Sequence, residues 1–399
     1  MLWGRLLKKL KKKVFNMKVC YINPTFLVRR PIAELTGRLS KDNDVAVFVP
    51  KRLFKKFEGK WHSDSALSKA RIFSYSAVNL PFSNFEWPIP VSPMFFVNLF
   101  RVFWKYDVIH LWTFFYINSF FTLFFRLFFR KTKLILACDT FPSFSFSSGK
   151  FVDALFKVYS RLFGWFLFSV PDKVQVYGES MIEFALKAGV KRDKIVVLPT
   201  GVDVDKFRNA VLVPRSSLGL SDDDFVLFFA GLIVPRKGVD VMLKTVKVLS
   251  EMFDNVKLLL VGEGPSKKVF QKLAVSLGIE DYVVFGSWRK DIPSILKSVD
   301  VLFLPSRGEG LPGVVMEALA SGLPVVASNI PCIPDLVSDG VNGFLCEIDD
   351  VSCFSEKIML LIKDKNLRTS FSKKAVELIK GFDWAGVVSD YVRLYEAVL

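Results

Sequence analysis

Two carboxylates, Glu309 and Glu317, lie in "GEGLPGVVMEALASGLPVVAS" (308–328), which otherwise reads as loop, helix and buried strand. Glycines flank Glu309, so it belongs to a loop, and Pro312 suits the first turn of a helix that carries Glu317. At 1.5 Å per residue, Glu317 stands about 7–8 Å inside that helix. The amides near Gly310 and Leu311 face outward at the helix start, where a diphosphate is favoured. One carboxylate can accept paired hydrogen bonds from a ribose diol, and the other can reach sugar hydroxyls beyond the phosphates. Arg236 and Lys237, in "AGLIVPRKGVD" (230–240), would neutralise a diphosphate leaving group as its charge develops. In isolation such a glutamate pair reads as a solvated loop residue and a helix-surface charge; with the cations beside it, the group would suit a grip on a nucleoside diphosphate-sugar and transfer of its sugar.

Positioning these groups requires strand ends. "MKVCYINP", "DVAVFVP", "DVIHLW", "KLILACD", "KVQVYGES" and "KIVVLPTGVD" alternate with helical stretches in the first half. "FVLFFAG", "KLLLVGEG", "YVVFGS", "VDVLFLPS", "PVVAS" and "GFLCEI" do so in the second. The expected fold is therefore α/β, two doubly wound, Rossmann-like domains facing a cleft, with ligands at the carboxyl ends of the strands. The boundaries expected are a basic amphipathic helix at 1–16, an acceptor-binding and membrane-facing domain at 17–208, a donor-binding domain at 209–381, and a helix at 382–399 that returns to the first domain.

"PRKGVDVMLK", "LLLVGEGP", "VVFGSW", "VDVLFLPSRGEGLPGVVMEALASGLPVVAS" and "LVSDGVNGFLCEIDD" resemble the donor domain of the retaining glycosyltransferases of family 4, which have the GT-B architecture. "PTGVDVDKF" resembles the crossing between domains, and "FDWAGVVSDYVRLYEAVL" the terminal helix. The resemblance implies a hexosyltransferase with a UDP- or GDP-linked sugar as donor substrate, no separate cofactor and no metal. It implies phosphate contacts from Arg236 and Lys237 and from amides at Gly310 and Leu311, a sugar contact and catalytic role for Glu309, and a ribose contact for Glu317. Gly262 ends a strand against the donor, and backbone around Phe285 would read the base. "DVD" at 203–205 reads as part of the crossing, not as a metal motif. The chain departs from the family at Gly231-Leu232, where an arginine usually follows the glycine, and in "NPTFLVRRP" (23–31), where the first loop usually holds a glycine pair. Arg29 and Arg30 there would contact an anionic acceptor or remain solvated. The family often has a histidine near the reacting sugar, which makes His110 a catalytic candidate; the alternative is a satisfied core histidine. Asp139 ends the next strand and would face the acceptor.

Charge is divided between the halves. Residues 1–208 hold 34 Lys+Arg against 15 Asp+Glu and 30 of the 41 Phe, whereas residues 209–399 hold 21 against 24. A basic, aromatic half without an RNA-binding signature suits an anionic membrane surface better than nucleic acid. Residues 1–16 place Trp3, Leu6, Leu7, Leu10 and Val14 on one stripe, which reads as an interfacial helix or else as a segment preceding a fold that begins at Met17. The uncharged run 108–125 is short and reads as strand then helix, not as a membrane span. Five cysteines without a C-x-x-C pair suggest reduced thiols and a cytoplasmic protein, peripheral on the inner face of the membrane. The function expected is transfer of a hexose to a lipid-linked or membrane-lipid acceptor. The alternatives are a soluble transferase acting on polysaccharide or small molecules, and a non-catalytic membrane scaffold.

Overall fold

A computed structural model describes residues 17–52, 67, 69–79, 87–145 and 149–399. The expected helix at 1–16 lies outside them. The first sheet contains β1 (Lys18–Ile22), β2 (Asp44–Arg52), β3 (Arg71–Asn79), β4 (Pro88–Pro90), β5 (Val108–Trp112), β6 (Lys133–Cys138), β7 (Lys173–Val176) and β8 (Ile195–Val197). Its order is β4-β3-β2-β1-β5-β6-β7-β8, parallel except for the β3–β4 pair. The helices of this half are α1 (Arg30–Leu39), α2 (Met94–Lys105), α3 (Ile117–Arg126), α4 (Lys150–Ser169), α5 (Ile182–Lys187) and α6 (Val204–Arg208).

The second sheet contains β9 (Phe225–Ala230), β10 (Val256–Val261), β11 (Val283–Gly286), β12 (Val301–Leu304), β13 (Val325–Ser328) and β14 (Gly343–Cys346). Every pair in its order β11-β10-β9-β12-β13-β14 is parallel. Around it lie α7 (Val239–Ser250), α8 (Lys267–Ser276), α9 (Ile292–Leu296), α10 (Gly313–Ala320), α11 (Val351–Lys363) and α12 (Lys365–Leu378); α13 (Trp384–Val398) follows.

Strands buried on both faces explain the unbroken apolar runs: "VIHLW" and "VLFL" are buried at every position. The run 108–125 divides into β5 and α3, and no helix among the described residues is long and apolar enough to cross a membrane. In the first half α2, α3 and α4 cover one face of the sheet through Leu99, Phe103, Leu123 and Phe168. The opposite face receives α1 and, from the far end of the chain, α13 through Val387, Tyr391 and Tyr395. The chain thus crosses between domains twice, and the crossings touch: the Val202 amide donates to the Phe382 carbonyl (2.9 Å) and the Trp384 amide to the Val202 carbonyl (3.1 Å). A Cβ on Gly201 would lie 2.6 Å from the Trp384 ring, so glycine admits that indole.

One sequence expectation is corrected here. Cys346 and Cys353 form a disulfide, whereas Cys20, Cys138 and Cys332 are free and buried. The turn from β14 into α11, capped by the Asp350 carboxylate on the Cys353 amide (2.9 Å), folds the two thiols together. Pairing follows proximity in space, and the absence of a C-x-x-C pair does not exclude it.

Candidate active site

In each sheet the strand order reverses beside the first strand of its domain, between β1 and β5 and between β9 and β12. Ligands collect at such switch points, outside the carboxyl ends of the strands. A cavity of about 410 Å³ lies there between the domains, walled by Arg30 and Pro31 from one side and by Gly231, Lys237, Gly262, Glu309 and Glu317 from the other.

Glu309 is positioned by the loop leaving β12. It is buried, accepts a hydrogen bond from the Ser306 hydroxyl (2.7 Å) and forms an ion pair with Lys237 Nζ (2.6 Å). Arg236 Nη1 stands 3.7 Å from its other oxygen and donates to the Gly308 carbonyl. Burial pushes the carboxyl pKa up, but Lys237 and Arg236 outweigh it and hold the group below the usual glutamate value. Glu309 is therefore a fixed anion at the cavity floor. The loops bearing these residues are cross-tied by Arg307, which pairs with Asp240 (2.7 Å) and Asp349 (2.7 Å). Gly238, at φ 68°, packs under Pro305, whose carbonyl oxygen would lie 1.9 Å from a Cβ there.

Glu317 projects from the second turn of α10 into the same cavity. Pro312 precedes the helix and no side chain caps it, so its first amides point at the ligand space. The Glu317 carboxylate pairs with Arg30 of the first domain, 287 residues away in sequence. Arg30 was expected at an acceptor; here it bridges the cleft to the carboxylate expected at the ribose. Leu311, beside the helix start, packs against the cores of both domains. Gly262 lies so close to Gly231 that a Cβ would stand 1.9 Å from the Gly231 oxygen.

Other candidates are placed elsewhere. Arg29 stacks over Trp112, its guanidinium carbon 4.4 Å from the ring centroid. Asp139 lies at the cleft with its backbone against Gly310, 3.2 Å from a Cβ built there, and burial raises its carboxyl pKa despite Arg29 and Arg236 nearby. His110 does not line the cavity. It is buried beneath α13, with Nδ1 2.9 Å from the Tyr395 hydroxyl and its ring against Tyr21 and Tyr391. Burial lowers its pKa to about 4, so it is neutral there. Phe285 packs on the second core, while the neighbouring Trp288 and Arg289 reach the cavity wall. Sequence reasoning missed Trp288, Arg289, Thr200 and Trp384, all wall residues; "VVFGSW", "PTGVDVDKF" and "FDWAGVVSDYVRLYEAVL" contain three of them, so the signal was present.

Similarity to known proteins agrees with this geometry. Residues 28–206 match the family model described as Glycosyltransferase Family 4, and residues 214–378 the one described as Glycosyl transferases group 1. The UDP-Gal:alpha-D-GlcNAc-diphosphoundecaprenol alpha-1,3-galactosyltransferase of Escherichia coli is 30% identical over 208 residues, 51% of this chain and 54% of that protein. The phosphatidyl-myo-inositol mannosyltransferase of Mycobacterium leprae is 31% identical over 207 residues, again 51% and 54%. The D-inositol 3-phosphate glycosyltransferase of Streptomyces avermitilis is 32% identical over 223 residues, 52% and 48%. The chain spans about half the length of these curated relatives. Anabaena HepE, solved with UDP and glucose, superposes with a TM-score of 0.75 at 18% identity, covering 96% of this chain and 100% of that one. WaaG, a glycosyltransferase involved in lipopolysaccharide biosynthesis, gives 0.69 at 16%, covering 94% and 99%. With a glycosyltransferase model on each half and this two-sheet architecture throughout, the chain belongs to the glycosyltransferases of GT-B fold and family 4 type.

Proposed function

We propose that the protein is a retaining hexosyltransferase that moves a sugar from a nucleoside diphosphate donor to a lipid-linked or membrane-lipid acceptor, working at the inner face of a membrane. The observation that carries this is the placement of Glu309 and Glu317 on one cavity wall, with Lys237 and an uncapped helix start between them. The donor diphosphate would rest on the first amides of α10, beside Lys237 and Arg236, with the ribose hydroxyls on Glu317. As the bond from the anomeric carbon to the phosphate oxygen breaks, both electrons go to that oxygen, and the cations stabilise the growing charge. The acceptor hydroxyl attacks the same face and gives its proton to the departing phosphate oxygen. Glu309, held ionised, orients the sugar and stabilises positive charge developing at the anomeric carbon. His110 is a positioning residue for α13 in this mechanism.

The basic, Phe-rich first half supports the lipid acceptor, as do relatives named for diphosphoundecaprenol-linked and phosphatidyl-inositol substrates. A water-soluble acceptor is the competing reading, favoured by relatives named for D-inositol 3-phosphate. Incubating the protein with radiolabelled nucleotide sugars and dispersed membrane lipids tests both. Label in the organic phase is expected. Label confined to water-soluble products would overturn the lipid acceptor, and no consumption of any donor would favour a non-catalytic scaffold.

A further inference from the structure

The outward side of α2, α3 and α4 is apolar where a water-facing helix layer should be polar. Trp104 is 77% exposed, Trp165 74% and Phe128, in the turn after α3, 70%. These are not scattered residues. Phe96 of α2 meets Phe121 of α3 (5.3 Å between centroids), Phe100 meets Phe129 (5.4 Å), and Phe120 of α3 meets Phe163 of α4 (5.9 Å). The rings form one continuous sheet of aromatic surface, and exposed Leu155, Val158 and Leu162 extend it along α4. A connected exposed apolar patch marks a surface that is covered in use.

Its charge identifies what covers it. Arg101, Arg130, Lys131, Lys157 and Arg161 are exposed in the same segments. The carboxylates of 94–131 and 150–169 are Asp107 and Asp153 alone; Asp107 accepts from the Lys18 amide (3.1 Å) and Asp153 from the Ser143 hydroxyl (3.5 Å). Two copies meeting through this face would bring cations against cations. An anionic lipid surface takes both features, with rings at head-group depth and cations on phosphates.

We infer that the outer face of α2, α3 and α4 docks flat on an anionic lipid bilayer. Orientation gives the docking a consequence. α3 begins at Ile117, soon after the carboxyl end of β5, and α4 at Lys150, after a longer loop from β6, while Trp104, Phe128 and Trp165 lie toward the other ends of α2, α3 and α4, where the chain heads for the amino ends of β5, β6 and β7. The docked face therefore runs from the cleft edge of the first domain back to the opposite edge of its sheet, with its most exposed rings at the end away from the cavity. This deepens the lipid-acceptor proposal and rests on it only for what the head group is used for.

Flotation of the full chain with vesicles of phosphatidylcholine, with or without phosphatidylglycerol, tests the inference. The variants are Trp104→Glu/Trp165→Glu and Lys157→Glu/Arg161→Glu, all at exposed positions, with UDP- or GDP-induced thermal shift checking that each remains folded. The wild type should float with anionic vesicles. The tryptophan variant should partition about tenfold more weakly or worse, and the charge variant should lose the preference for phosphatidylglycerol. Wild-type flotation by either variant would overturn the inference, as would a wild-type dimer that the tryptophan variant dissociates while neither binds vesicles. Assays with detergent-dispersed lipid separate the two proposals. Flotation that depends on this face, without label in any lipid, sinks the acceptor and keeps the docking face; label in lipid with face-independent flotation does the reverse.

Discussion

The two domains share a wiring plan and differ in what they do with their outer layers. Each is a parallel sheet whose order reverses beside its first strand, and each aims its carboxyl edge at the same cleft. The second domain has one connected core and covers it with a mixed, slightly acidic surface. The first has separate cores on the two faces of its sheet, fills one with phenylalanine, and leaves aromatic rings outside. The lesson is that the cleft-facing edge constrains strand ends and loops, while the helix layer behind it is free to be adapted to a surface.

The largest effect expected from testing this division is in the second domain. Lys237→Ala removes the cation 2.6 Å from Glu309 and leaves a buried carboxylate with a weaker partner. Transfer should fall about 10²–10³-fold, the loss usual for one electrostatic donor to a leaving group, and donor turnover checks it. Glu317→Ala should weaken nucleoside diphosphate binding about 10–100-fold, the worth of hydrogen bonds to a charged group; titration calorimetry reads it, and an unchanged affinity would remove Glu317 from the ribose site. Arg30→Ala is predicted to act in the opposite direction. Freed from its cross-cleft partner, Glu317 should bind the donor a few-fold more tightly, about the scale of a half-exposed ion pair. Weaker binding would instead make Arg30 a donor ligand.

The smallest effect belongs to the first domain. His110 titrates near 4 when folded and near 6.5 when unfolded, so the unfolded chain takes up the proton first. The contribution of neutral, buried His110 is complete above about pH 6.5 and is lost as pH falls toward about 4. Melting temperature of the wild type should therefore drop more steeply across that interval than that of His110→Gln. Parallel curves would show that another group governs the acid limb.

What sequence could reveal followed from locality. The core strands were legible because a strand covered on both faces needs an unbroken apolar run, and "VLFL" and "LILAC" supply one. β3 escaped because it is largely exposed and mixes Ser and Arg with its apolar residues; β4 is three residues with two prolines, antiparallel at the edge. Glu309, Lys237 and Glu317 were legible because loop, helix start and cation fall within known spacing. The Arg30–Glu317 pair was not, because its partners meet only through the closing of two domains. The burial of His110 was not legible for a related reason: the tyrosines that bury it come from the end of the chain, and no local pattern announces them.

The paired crossing at Val202 and Phe382–Trp384 makes the second domain a passenger. Its entrance and exit are stitched side by side, so the segment between them is an insertion into a first domain completed by α13. Any swivel of that insertion about its stitched neck would have to part the Arg30–Glu317 pair and the hydrogen bonds of Ser180 to Asp335 and Cys332.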